Sequence, residues 1–499
     1  MELESTLVDI PCPITTEMEM ETSIDIYGPE FVTIDLSDGP DDAEAMPESG
    51  EESPPKSEEQ SQSQFADFAG KSSMAMSIFN VSNAIMGSGI LGLAYAMANT
   101  GIVLFVVLLT VMAILSAYSI HLLLRSAGIV GIRAYEELGN RAFGTPGKVL
   151  TASLITLNNI GAMASYLFIV KSELPLIIEA FLGTPSDSQE WYLKGEYLVI
   201  IVSLTVIFPL ALMRQLGYLG YTSGFSLTCM VFFIISVMYK KFTIACPVKN
   251  HDPDQASGHM SNSTNEDDVC GAKLVTLNSR TAYTIPILAF AFVCQPVVLP
   301  IYTELRKPTK KRMQTVANIS VFAMTVMYLL AAIFGYLTFY DEVESELLYT
   351  YQKVSSADRL ILGVRLAVLV AVVLTVPVVI FPIRTALLQL LAPNRPFNWV
   401  RHSSVAFGLL VLVNTLVIFV PNIKDIFGVI GATSAPSLIF ILPGLFYIRI
   451  VPENLETMKS RPKIQAACFT GLGFLLMVMS IAFIIMDWVS AGTQGAGGH

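Results

Sequence analysis

The feature that most restricts this chain is its series of apolar stretches, each about 20 residues, long enough to cross a ~30 Å hydrocarbon core. They lie near 75–99, 102–124, 148–170, 196–213, 219–239, 282–304, 317–340, 360–381, 403–420, 425–448 and 464–487. Lipid offers no water to bond the backbone, so each must close its hydrogen bonds internally, as a helix does. The balance of residues agrees: 53% are hydrophobic and 14% charged, against roughly a quarter charged in soluble domains. The expected fold class is an all-α polytopic membrane protein of 11 transmembrane helices, spanning residues 71–490, with the lipid bilayer as its solvent.

Charge is unevenly divided. Residues 1–70 hold 19 acidic residues and one Lys, a net of −18, while the rest of the chain has 22 acidic and 29 basic residues, a net of +7. The first 70 residues are rich in Glu, Ser, Pro and Gln, the composition of a disordered acidic tail. They lack the basic region of a cleavable signal, so the first span is expected to act as the insertion signal. With this tail inside, 17 basic residues fall in the inner loops and ten in the outer ones. That is the bias expected of cytoplasmic loops, and the densest inner cluster is RKPTKKR at 306–312. The N-terminus is therefore expected in the cytoplasm and the short 491–499 tail outside. The outer loop 240–281 carries the sequon Asn262-Ser263-Thr264, usable only on the luminal side. Cys246 and Cys270 flank that loop and fit a disulfide worth about 3 kcal/mol; two unpaired thiols are the alternative.

Spans 1–5 and 6–10 form two groups of five, so the second group enters from the opposite side. Such inverted repeats, about 75–240 and 282–448 here, are common in secondary transporters. The first helix of each half is interrupted, span 1 at Gly87-Ser88-Gly89 and span 6 by Pro286, Pro296 and Pro300. Interruptions at matching positions point to a binding site. GSGILG at 87–92 has the spacing of a dinucleotide-binding turn, but the strand and βαβ unit that motif needs are missing. Glycines let a backbone unwind and approach a ligand, and a helix that restarts after them offers free N–H groups to an anion. The expected substrate contacts are Asn80, Gly87, Ser88 and Gly89 from span 1, with Cys294 and Gln295 from span 6. Simple helix packing by small residues is the competing reading, and on the substrate reading Gly87→Val or Gly89→Val abolishes binding without unfolding the protein.

Asn80 and Asn83 are costly in hydrocarbon unless they face a partner or a wet cavity. Carbonyls freed by unwinding, Ile85's among them, would join the Asn83 oxygen in a hard-oxygen set suited to an alkali cation. Span 8 offers Thr375 ahead of Pro377 as another wall. Arg365, in the same span, either snorkels toward the acidic loop at 341–346 or forms an outer ion pair.

FNVSNAIMGSGILGLAYAMANTG at 79–101 resembles the sodium-coupled neutral amino acid transporters, the system A and system N family of the amino acid/auxin permease superfamily. NIGAMASYLFIVKSELPL at 159–176, LALMRQLGYLGYTSGFSLTCM at 210–230, FGYLTFY at 334–340 and IFGVIGATSAPSLIFILP at 426–443 fit the same family. GIVGIRAYEELG at 128–139 looks more like the system N branch. The resemblance implies a LeuT-like fold of 5+5 inverted repeats plus an eleventh helix. It also implies plasma-membrane uptake of glutamine, asparagine or histidine, driven by sodium with proton counter-movement, and an Asn matching Asn83 tied to sodium. Sodium is then the coupling ion, with no other cofactor and no nucleic-acid partner. Two positions depart from the family. Cys294-Gln295-Pro296 stands where relatives read C-H-P, and Val373-Leu374-Thr375 where they read T-L-T. The first Thr of that T-L-T is the one tied to sodium, so Val373 is expected to weaken sodium dependence and Val373→Thr to strengthen it.

An amino-acid sensor of the same fold, or a sodium-independent transporter, remains the alternative. An enzyme is not expected: the chain lacks G-x-S-x-G, H-E-x-x-H and Walker motifs, and its five histidines are scattered.

Overall fold

The computed structural model describes residues 72–183, 190–212, 219–244, 271–277, 281, 283–354, 358–391, 398–420 and 422–496. The acidic tail, Cys246, Asn262 and Cys270 lie outside them. The apolar stretches become helices: α1 (Met74–Ile85), α2 (Ser88–Thr100), α3 (Ile102–Val130), α4 (Tyr135–Leu182), α5 (Gly195–Ala211), α6 (Leu219–Thr243), α7 (Thr284–Ala291) and α8 (Gln295–Glu304). The second half continues through α9 (Lys310–Phe339), α10 (Leu347–Val354), α11 (Arg359–Leu391), α12 (Trp399–Phe419), α13 (Ile423–Ile450) and α14 (Arg461–Ala496). The described residues contain no strand, only an isolated bridge between Ser72 and Leu305.

Local chemistry sets several boundaries. Side-chain oxygens of Ser73, Thr309 and Asn398 accept from Met76, Arg312 and Val400 N–H groups and start α1, α9 and α12, as capping residues do. Gly101 ends α2 at φ +80°, where a Cβ would meet the Leu274 backbone at 2.7 Å. Gly144, at φ +69°, kinks α4. The stretch before it, expected as an inner loop, is helical from Tyr135. At the other end α14 continues to Ala496, so most of the expected outer tail is helix. The helix α10 lies where only an outer loop was expected.

Among the described residues nine helices are long and apolar enough to cross a membrane, or ten if α1 and α2, bent by 47°, are one span. Eleven were expected. The segment read as the fourth, α5, falls short of that length.

Each half opens with a broken helix, α1/α2 and then α7/α8, and the halves interlock. The broken helices pack with α3 and α9, and α4 and α11 pack with α5 and α12. The fifth span of each half bridges these groups: α6 touches α1, α9 and α11, and α13 touches α3, α4 and α7. Small residues permit the close crossings, as between helices in lipid. A Cβ on Gly431 would meet the Pro286 carbonyl oxygen at 2.1 Å, and one on Gly161 would meet Ile430 at 2.3 Å. Ser72 N–H donates to the Glu304 carbonyl at 2.9 Å and Arg306 N–H to the Ser72 carbonyl at 2.8 Å. The entry to α1 is thereby tied to the exit from α8.

Candidate functional site

The two helix breaks face each other. After Ile85 the chain turns out of helix, with Gly87 extended at φ −90° and ψ −164°. Gly87 N–H folds back onto the Ile85 carbonyl at 2.8 Å, and the chain restarts as the tight turn Ser88–Gly92. The first N–H groups of a restarting helix have no partner inside it and carry the positive end of its dipole. Opposite, α7 stops at Ala291 and α8 begins at Gln295. Pro296 occupies the first turn of α8, where its missing N–H is not needed. Tyr328 of α9 joins the breaks: its hydroxyl lies 2.6 Å from the Ile85 carbonyl and 3.0 Å from the Ala291 carbonyl.

Between the breaks lies a cavity of about 50 Å³. Its walls are Ala84, Ile85, Gly87 and Gly89 from the first break, and Phe290, Ala291, Val293, Cys294, Pro296 and Val297 from the second. Asn158, Asn159, Ala162 and Tyr166 come from α4, with Thr375, Val378, Val379 and Pro382 from α11. None of these residues is charged. Asn159 Nδ2 is buried there without a hydrogen-bond partner, a donor that a ligand acceptor would relieve.

The expected substrate residues divide. Gly87, Gly89 and Cys294 line the cavity, whereas Ser88, Asn80 and Gln295 do not. The Ser88 hydroxyl is buried against that of Ser165. Gln295 turns toward α3: its Oε1 accepts from Cys294 N–H at 3.0 Å and its Nε2 donates to Ser119 Oγ at 3.4 Å. It thus serves as a cap for the break. Asn80 is buried with an unpartnered Oδ1, away from the cavity lining. The two glycines also differ. A Cβ on Gly87 would come within 3.0 Å of the Tyr166 hydroxyl, while one on Gly89 would press on Ala291 Cβ and Cα at 3.1 and 3.2 Å. Gly87 is a cavity wall, and Gly89 mainly lets the two breaks touch, so helix packing holds for the second.

The expected cation ligands meet on a helix that the expectation left out. Asn83 Nδ2 donates to Ser223 Oγ at 3.4 Å, and Thr375 Oγ1 lies 3.3 Å from Ser226 Oγ. Both serines belong to α6, about one turn apart. Ser226 and Thr375 also both donate to the Ala371 carbonyl, at 3.4 and 2.8 Å. The Ile85 carbonyl is not free in this arrangement, since Gly87 N–H and the Tyr328 hydroxyl both reach it. Thr375 lines the cavity and Val373 does not. Two residues along a helix turn the side chain by ~200°, so the departure from T-L-T at Val373 falls off the cavity face.

Several of these residues carried a readable signal. Asn158 and Asn159 are a polar pair inside a span, open to the argument applied to Asn80 and Asn83. Glu173, an ionisable residue within α4, marks a functional position on the same grounds. It is fully buried, and its Oε2 lies 3.5 Å from Arg365 Nε. Arg365 does not snorkel: it is 3% exposed, and Nη2 donates to the Leu348 carbonyl at 3.2 Å. Nothing in the local sequence marks Tyr328, which is one aromatic among many.

A solved structure of Mhp1, a nucleobase-cation-symport-1 family transporter in a closed conformation with bromovinylhydantoin bound, superposes with a TM-score of 0.54. At 12% identity it covers 86% of this chain and 95% of its own, and it shows the fold alone. An inward-facing conformation of Mhp1 gives 0.50. In sequence, the chain is 54% identical over 437 residues to the sodium-coupled neutral amino acid symporter 2 of Danio rerio, covering 86% of each. It is 53% identical over 468 residues to the sodium-coupled neutral amino acid transporter 4 of Homo sapiens, covering 84% of this chain and 85% of that one. The family described as transmembrane amino acid transporter protein matches residues 70–486. These relatives are transporters and not enzymes, and the chain belongs to the transmembrane amino acid transporter family, within its sodium-coupled neutral amino acid transporters.

Proposed function

We propose that the protein is a secondary active transporter that moves neutral amino acids across the plasma membrane by alternating access, coupled to sodium. The observation that carries this reading is the cavity between the two broken helices, with donors on one side and no charge in its lining. The free N–H groups at the start of α2 and the orphan Asn159 Nδ2 suit a substrate carboxylate. Carbonyls at the second break, each with a second lone pair, suit its ammonium group. A charged side chain would find no counter-ion on these walls and would be costly to hold; a neutral one is accepted. Glutamine, asparagine and histidine are the proposed substrates. The cavity is small beside the ~150 Å³ space that admits benzene, so side chains of that size require the walls to part, as alternating access provides.

Sodium is proposed to sit between α1, α6 and α11, among the oxygens of Asn83, Ser223, Ser226 and Thr375 and the Ala371 carbonyl. These are hard ligands of the kind alkali and alkaline-earth cations select. The lining holds no carboxylate or histidine, so a counter-moving proton has to be held elsewhere. The N-terminus is proposed to be cytoplasmic and the C-terminus extracellular. The test is uptake of labelled glutamine in expressing cells, with sodium replaced by choline and external pH varied. Uptake indifferent to sodium would reject the coupling, and binding without net flux would make the protein a sensor.

A further inference from the structure

Glu173 is fully buried, and neither of its carboxylate oxygens accepts a hydrogen bond. Its cationic neighbour is Arg365, at 3.5 Å, whose Nη2 is turned toward the Leu348 carbonyl of α10. A second carboxylate enters the same pocket from the segment before α10. This is Glu346, 4% exposed, toward which the Ser172 hydroxyl donates at 3.5 and 3.3 Å. Burial first, and then the charge of Glu173, push the Glu346 carboxyl well above the usual carboxylate range.

Among the described residues, the nearest other charges are engaged elsewhere or exposed. Lys171 donates to the Val417 and Ile418 carbonyls at 3.1 and 3.3 Å. Lys353 pairs with Glu344, Lys240 with Asp358 and Lys273 with Asp341, while Glu342 and Arg359 face outward. Arg365 pairs with Glu173, and Glu346, held by Ser172 and two residues before the Leu348 carbonyl that binds Arg365, adds a second carboxylate beside that one guanidinium in the buried interior. Fully ionised, the group carries one uncompensated negative charge, which such an environment strongly disfavours. One proton makes it neutral.

We propose that Glu173, Glu346 and Arg365 form a proton-binding site that takes up one proton as α10 closes over the first helix break. The link to the cavity is direct: α10 packs against the turn Ser88–Gly92 and carries Leu348, whose carbonyl holds Arg365. Lifting α10 carries Glu346 into water, where a carboxyl titrates near ~4.3 and gives up its proton. The closed state binds the extra proton, so raising the pH favours the open state. Between the water value and the higher closed-state value, each pH unit shifts the balance about tenfold; outside that window the dependence vanishes.

The test is hydrogen exchange of the 343–354 backbone in the purified full chain in lipid nanodiscs, from about pH 5.5 to about pH 8.5, corrected for the intrinsic chemistry of exchange. The wild type should lose protection with a slope approaching tenfold per pH unit, levelling off where the closed site releases its proton. Glu346→Gln leaves one carboxylate for one guanidinium, neutral without a proton, and its profile should be flat. Glu173→Gln does the same from the other helix, and it serves if the first variant fails to fold. A wild-type profile flat within about twofold, or a slope that survives in either folded variant, overturns the proposal. The measurement reads closure and not uptake, so it decides this site even if the cargo proposed above is wrong.

Discussion

Tyr328→Phe isolates the bond that joins the two breaks. The hydroxyl has one hydrogen shared between the Ile85 carbonyl at 2.6 Å and the Ala291 carbonyl at 3.0 Å, each at the end of a broken helix. Phenylalanine keeps the ring and its edge-on contact with Phe292, at 5.5 Å between centroids and 76° between planes. Packing is therefore preserved and only the donor is lost. The Ile85 carbonyl keeps the Gly87 N–H at 2.8 Å, so the Ala291 carbonyl is the one left without its donor, which costs about 1–3 kcal/mol. The bond exists when the breaks are together, and water satisfies both carbonyls when they part. The cost then falls on the closed, substrate-holding state, and apparent affinity should weaken by roughly 5- to 150-fold. The assay is uptake of a labelled neutral amino acid against its concentration, normalised to protein at the cell surface. A half-saturating concentration within about twofold of wild type at normal surface amount would refute the reasoning, because the breaks would then be held by something other than Tyr328.

Four further outcomes are expected. Thr375→Val should weaken sodium activation of uptake and Val373→Thr should leave it unmoved; the reverse pattern in sodium titrations would place the ion on the other face of α11. Gly87→Ala should alter substrate affinity with folded protein retained, whereas Gly89→Ala should lower the melting temperature of purified protein, since its Cβ meets Ala291 backbone and side chain at 3.2 and 3.1 Å. Gly431→Ala sets a Cβ 2.1 Å from the Pro286 carbonyl oxygen and should destabilise by at least the ~1–3 kcal/mol of ordinary overpacking; an unshifted thermal transition would show that α7 and α13 can separate freely. Glycosidase treatment should shift wild-type mobility but not that of Asn262→Gln, and an unreduced peptide map should join Cys246 to Cys270. An unmodified Asn262 together with two free thiols would reverse the topology.

The class of fold and its repeat were legible because both follow from one-dimensional rules. Apolar length predicts a spanning helix, and an odd number of spans per half inverts the second copy. Interruptions at Gly87-Ser88-Gly89 and around Pro296 marked the right two helices for the same reason: glycine and proline act on their own backbone wherever they stand. The length argument missed α10, an eight-residue helix in what the sequence offers only as an outer loop.

Which side chain faces what was not legible. Asn80, Ser88 and Gln295 stand beside the breaks in sequence but point elsewhere, because a helix sends neighbours ~100° apart and only the packing of other helices says which direction is the cavity. The same rotation put Thr375 on the cavity wall and Val373 off it. Tyr328, Asn159, Ser223 and Ser226 come from helices far along the chain from the glycines, and their roles arise only where α4, α6 and α9 pack on α1 and α2. Likewise Glu173, Glu346 and Arg365 are separated by up to 192 positions in the chain. The sequence by itself determined that this chain crosses a membrane repeatedly and where its two helices break. Only the tertiary structure decided which polar groups share a dry enclosure, because hydration and charge balance belong to the space between helices and not to any one of them.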